Sequence, residues 1–212
     1  MRRTDFTNGK YYFLTNFGVE GRALFADNED RVRFLEYMRR FRMTKDKPYL
    51  DQDSVPNVTF IAYSQCGNGF YFLVRQEREE GITEMMHQLG TGYSMYFNRK
   101  YNRLGRLFIG PFRAREVVNQ VELLLVSKYV HACPMRRSGL VDPVERIRLL
   151  RGFLWSSYQD YIGAREGTLC DKNAVLSGIQ DHDVPKWYQR FVESDITPDE
   201  KAIIQPFALE QL

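Results

Sequence analysis

Two short β-prone runs, VTFIAYS (58–64) and GFYFLVRQ (69–76), are separated by only four residues, among them Gly67 and Asn68. Glycine and asparagine tolerate the backbone angles of a tight turn, so the segment reads as an antiparallel hairpin. That hairpin constrains the rest of the chain. Before it come an aromatic, β-prone run, KYYFLTNF (10–17), and a helical pattern. Asp27 or Asn28 caps that helix, and Phe34, Leu35, Met38 and Phe41 follow at helical spacing. Behind it, Ile82, Met85, Met86, Leu89, Tyr93, Tyr96 and Phe97 predict a long helix to about Tyr101, with Gly90 and Gly92 allowing close packing in its middle. RLFIGPFRAREVV (106–118) is β-prone and bends at Gly110–Pro111.

The predicted order is therefore strand, helix, hairpin, helix, strand. Such a βαββαβ order closes into an α+β, ferredoxin-like or RRM-like fold, with a four-stranded antiparallel sheet and helices on one face. A helix capped by Asn119 follows, NQVELLLVSKYVHAC, closed by Pro134. On it Val121, Leu125 and Tyr129 share a stripe. Two further helical pieces lie around 143–152 and 155–162, and short helices around 172–179 and 185–192 make up a helical C-terminal extension. The polar stretch TKDKPYLDQDSVPN (44–57) reads as a loop. We place a first domain at 1–163 and an acidic helical extension at 164–212.

Composition narrows the function classes. With 43% hydrophobic residues, the 212-residue chain can bury a sizeable core. Apolar runs fall short of the ~18 residues of a membrane span, and the basic N-terminus lacks the apolar core of a secretory signal. Cys66, Cys133 and Cys170 form no CxxC pair, which predicts reduced thiols and a cytoplasmic setting, with no closed zinc site from these three. The net charge is +3, but residues 181–212 carry seven acids against three bases. A basic body with an acidic tail favours a polyanionic partner for the body.

Side chains alternate along a strand. From Gly69 onward, Phe70, Phe72 and Val74 point one way into a core. Gly69, Tyr71, Leu73 and Arg75 point to the other face. Two histidines at such alternate positions would converge on one metal ion, but here the positions hold a glycine and a phenol.

Several blocks together resemble the single-tyrosine insertion-sequence transposases of the HUH superfamily, above all the REP-associated tyrosine transposases. They are NFGVEGRALFADNEDRVRFLEYM (16–38), the hairpin, GTGYSMYFNRKYNRLGRLFIGPFRAREV (90–117), SKYVHACPMRRSGLV (127–141) and WSSYQDYIG (155–163). The likeness runs in order over about residues 10–163. The family's hairpin reads like YCLMPNHFHLLV where this chain has YSQCGNGFYFLV, so the two metal-binding histidines fall on Gly69 and Tyr71. The nucleophilic tyrosine falls on Tyr129, and the family's further polar metal ligand, usually Asn or Gln, falls on Cys133.

The resemblance implies DNA strand transfer through a 5′-phosphotyrosine link, with magnesium or manganese polarising the scissile phosphate. Those ions want hard oxygen or imidazole ligands, which glycine, a neutral phenol and a thiol do not supply. Three readings follow. The chain binds single-stranded or hairpin DNA, with metal-dependent nicking lost or reduced and no cofactor. It is an active tyrosine transposase, with an altered or dispensable metal site. Or it is an RNA-binding or protein-interaction module. A softer ion on Cys66 and Cys133, beside Asn68, Tyr71 and His131, is a further alternative within the second.

Candidate DNA contacts are Arg99, Lys100, Arg103, Arg106, Arg113 and Arg115, interleaved with aromatics, and Arg136 and Arg137 just after the tyrosine helix. Tyr93, Tyr96 and Phe97 are expected in the core. His131 lies on a different helical face from Tyr129, and His87 and His182 read as structural or exposed. The family includes dimers that share active sites across subunits, so a monomer or a homodimer is open.

Overall fold

The computed structural model describes residues 5–41 and 57–208. Most of the predicted 44–57 loop lies outside them. The strands are β1 (Tyr11–Phe17), β2 (Val58–Cys66), β3 (Gly69–Gln76) and β4 (Arg113–Val117). They form one sheet in the order β2-β3-β1-β4, every neighbouring pair antiparallel. The ferredoxin-like expectation is met. The bend at Gly110–Pro111 delays the fourth strand to Arg113.

Helix α1 (Asn28–Arg39) starts at Asp27, whose carboxylate accepts from the Asp30 amide while Asp30 returns the bond, a reciprocal cap that satisfies two orphan donors. Helix α2 (Gly81–Lys100) runs beside it on the same face of the sheet. Tyr12, Leu14, Phe60, Phe70, Phe72 and Val74 point up into the layer made with Phe34, Met38, Met85, Leu89 and Tyr93. Gly92 permits the close approach of the two helices. A Cβ there would sit 2.6 Å from the Tyr37 ring, whose hydroxyl donates to the Gly92 carbonyl.

The opposite face is covered as well. Helix α3 (Gln120–His131), capped by Asn119, lies across it, and a break at Ala132 leads into the short α4 (Cys133–Arg137). Pro134 thus opens a new turn of helix rather than ending helical geometry, because proline's missing donor is harmless in a first turn. Beyond it come α5 (Pro143–Gly152), α6 (Tyr158–Tyr161), α7 (Asn173–Leu176), α8 (Val184–Glu193) and α9 (Pro198–Ile204). Phe13, Tyr71 and Leu73 share one core with Leu125, Val126 and Tyr129 of α3 and with Tyr188, Val192, Ile204 and Phe207 of the extension. The face read from sequence as turned away from the core is therefore the floor of a second one. A bulge in β2, between Phe60 and Ala62, lets both Ile61 and Ala62 enter it.

No helix among the described residues is long and apolar enough to cross a membrane.

Candidate functional site

The register carries one row of side chains across the second face: Arg113 of β4, Thr15 of β1, Tyr71 of β3 and Ser64 of β2 are successive partners. The adjacent row runs Phe17, Gly69, Cys66. Helix α3 lowers Tyr129 onto these rows. Its ring lies 6.4 Å from Tyr71 and 5.9 Å from Phe13, centroid to centroid, and only 3% of the residue is exposed. The structure thus brings together Gly69, Tyr71, Tyr129 and Cys133, the first and last of them 64 positions apart in sequence. Of the stripe read on α3, Leu125 and Tyr129 are buried while Val121 is exposed.

Each of the three positions expected to hold metal ligands is occupied in its own way. At Gly69 the space for a side chain is taken. A Cβ there would lie 2.5 and 2.6 Å from Cδ1 and Cε1 of Phe17, and 3.0 Å from the Asn16 carbonyl. The Phe17 ring is packed edge-on against Tyr71 at 5.9 Å. At residue 71 the phenol oxygen accepts from Arg137 Nη1 at 3.2 Å, and the same guanidinium donates to Asn68 Oδ1 at 2.5 Å. Cys133 is joined to Cys66 in a disulfide that closes 67 residues of chain. This corrects the expectation of three reduced thiols: of the three cysteines, Cys170 is the one outside the disulfide. Sulfurs bonded to each other are not thiolate ligands, so a softer ion on Cys66 and Cys133 would first require this bond to be reduced. Among the described residues no group of three or more His, Cys, Asp or Glu side chains converges to hold a metal. The donor set does not fit magnesium or manganese.

Two guanidiniums flank the phenols. Arg136 Cζ stacks 3.6 Å from the Tyr129 ring centroid, and its Nη2 donates to the Tyr129 carbonyl at 3.0 Å. Arg137 lies 5.9 Å from the Phe17 ring. Short α4 is what delivers both, since it turns back over the hairpin directly after α3. Arg113 and Arg115 reach the same face from β4, the latter 5.2 Å from the Phe207 ring.

The other predicted cations lie on the opposite side of the sheet. Arg99 is exposed at the end of α2, and Arg106 is exposed in the loop after it. Arg103 donates to Asn98 and packs on Phe97. Lys100 is taken up by Asp27, Glu29 and Asp30, at 2.7 to 3.0 Å. The basic cluster that is continuous in sequence is thus two clusters in space. Tyr93 and Phe97 are buried as expected, and Tyr96 is half-buried with its hydroxyl donating to Asp30.

Beside Tyr129, but on the other side of α3, lies a buried polar chain that sequence reading missed. His131 Nδ1 meets the Tyr188 hydroxyl at 2.8 Å, and Nε2 meets Ser157 Oγ at 2.7 Å. Tyr188 continues to Ser127 Oγ at 2.8 Å. The imidazole is fully enclosed, and burial away from any compensating charge pushes it down to about 3 from its ordinary 6.5. It is a neutral strut between α3, α6 and α8, turned away from Tyr129 and not placed to act as its base. The unfolded chain binds the proton more readily, so this contribution to stability is complete above about pH 6.5 and drains away as the pH falls towards 3. Between pH 6.5 and 5 the loss is about 2 kcal/mol. Urea denaturation at the two pH values should show the parent losing that much more than His131→Gln. Equal losses would remove the assignment.

His87 and His182 are both exposed, as read from sequence.

No protein-family model matches the chain, and no curated protein matches it. Among solved structures, a tRNA(His) guanylyltransferase from Saccharomyces cerevisiae is 9% identical, covers 100% of this chain and 82% of its own, and has a TM-score of 0.39, too low to bear an argument. A REP-associated tyrosine transposase bound to a REP hairpin is 11% identical over 82% of this chain and 95% of that one, with a TM-score of 0.59. At that identity the likeness speaks to architecture alone: this chain has a transposase-like fold, the one in which that tyrosine transposase is built.

Proposed function

We propose that this protein binds single-stranded or hairpin DNA, and that metal-dependent nicking by Tyr129 is lost or greatly reduced. One observation carries the second half: the Phe17 ring fills the volume a ligand side chain at residue 69 would need. The loss is thus built into the packing, beyond the identity of the ligands. The engaged phenol of Tyr71 and the disulfide at Cys133 point the same way. Without a divalent ion, charge developing on a scissile phosphate loses several kcal/mol of stabilisation, on the order of a thousandfold or more in rate. Tyr129 is also shielded, at 3% exposure.

The first half rests on charge and fold. Arg113, Arg115, Arg136 and Arg137 gather on the face that holds the tyrosine, and the transposase of like fold is bound to a DNA hairpin. A guanidinium makes the forked contacts that phosphate oxygens take. Arg115 and Arg137 are exposed and carry the contact with the DNA backbone.

Fluorescence anisotropy on a panel of DNA hairpins tests this. Affinity should fall steeply with salt, and the double change Arg115→Ala/Arg137→Ala should weaken binding about tenfold or more and flatten the salt slope by about two. Incubation with magnesium or manganese should leave no covalent adduct. Absence of affinity across the panel at low salt would sink the DNA reading, and an adduct abolished by Tyr129→Phe would restore the transposase reading.

A further inference from the structure

A groove of about 760 Å³ lies on the first face of the sheet, between α2 and the loop that precedes β4. Its floor is apolar: Met86 and Met95 from α2, Phe108 and Phe112 from the loop, and Phe70 from the sheet. Gly90 leaves that floor open, since a Cβ built there meets nothing within 4 Å. Along α2, Thr83, His87, Thr91, Ser94 and Asn98 form a polar edge at helical spacing. Arg106 closes the far side, exposed to solvent. Among the described residues no carboxylate lines the groove.

We propose that this groove holds an unpaired nucleobase of a single-stranded nucleic acid, with the adjoining phosphate on Arg106. The proposal rests on the DNA reading above and adds a second contact, on the other side of the sheet from Tyr129. An apolar, aromatic floor accepts any base by its face, while a cation at the rim takes the backbone. The hydroxyl and amide groups of the α2 edge both donate and accept, as the edge of a base requires. A lining whose described residues include an arginine at the mouth and no acid complements a polyanion.

The position supports the same occupant. Asn16 and Phe70 line the groove, while their chain neighbours Phe17 and Gly69 face the tyrosine side. Only the end of the sheet separates the two, where Asn16 donates to the Gly110 carbonyl. A strand leaving the groove rounds that end and meets Asn68 and Arg137. One strand can then run from one face of the sheet to the other.

Gly90→Leu supplies the test. The side chain enters empty space, and leucine favours helix over glycine, so the fold is retained. Binding of an oligothymidine of about twelve nucleotides should weaken about tenfold, while a blunt DNA hairpin keeps its affinity within about twofold. Arg106→Ala should weaken the oligothymidine in the same direction. Unchanged oligothymidine affinity in Gly90→Leu, with the parent binding normally, overturns the groove assignment and leaves the DNA reading standing. A parent that binds neither probe overturns both.

Discussion

Gly69→His alone should destabilise the protein by about 3 kcal/mol or more, before metal binding enters the matter. The first atom of any side chain at 69 lands inside the Phe17 ring, at 2.5 and 2.6 Å from two ring carbons. The ring has no easy retreat. Tyr71 holds one flank and Arg137 the other, and Phe17 and Gly69 are direct partners between β1 and β3, so neither backbone can withdraw without breaking the ladder. For a domain of this size the loss corresponds to a fall in melting temperature of roughly 6–12 °C. The same substitution in a Phe17→Ala background should cost under about 1 kcal/mol, because the imidazole then enters the vacated volume. A double-mutant cycle by urea denaturation measures the coupling. A Gly69→His protein as stable as its parent would show that the ring is not the obstacle. Rebuilding an ion site by this reasoning takes Phe17→Ala, Gly69→His, Tyr71→His and Cys133→Asn together.

The second large effect lies at Lys128. Its side chain is 1% exposed, and its ammonium is held by Glu200 Oε2 at 3.2 Å, Ser194 Oγ at 3.0 Å and the face of Phe191 at 4.6 Å. Glu200→Ala leaves a buried cation without its anion and also removes the reciprocal cap that Glu200 makes with Thr197 at the start of α9. The expected cost is about 3–5 kcal/mol. Glu200→Gln keeps much of the cap and isolates the charge, for a smaller loss of about 2 kcal/mol. Lys128→Met/Glu200→Leu should recover most of the stability, since an apolar pair avoids the desolvation that the ion pair must overcome. Denaturant midpoints for the three variants decide it. A harmless Glu200→Ala would mean that water reaches Lys128. The acidic tail therefore has a structural task, whatever else its charge does.

The strands and the first two helices were legible because their signals are local. Alternation in GFYFLVRQ, a Gly–Asn turn and a 3.6-residue stripe from Ile82 to Phe97 each span fewer than two dozen residues. The covering of the second face was not legible: α3 and the pieces that became α5 to α8 read as helices, but no local pattern says which face of the sheet they cover, and α9 was missed. One signal there went unread: T-x-x-E at Thr197–Glu200 is the sequence form of the cap on α9. The convergence of Gly69, Tyr71, Tyr129 and Cys133 follows from the family resemblance, but their occupancy does not. Phe17 beneath residue 69 is a matter of strand register, and Cys66 beside Cys133 a matter of where α3 ends on the hairpin. The basic cluster misled because the chain reverses within it. Helix α2 ends on one side of the sheet, and β4 presents Arg113 and Arg115 on the other. Lys100 is claimed by acids about seventy positions away.

The bond between Cys66 and Cys133 has a mechanical consequence. It rivets the hairpin tip to the turn just after the tyrosine helix, so that end of the helix cannot lift off the sheet by itself. A backbone movement that draws this end of the helix outward must carry the strand tip along with it.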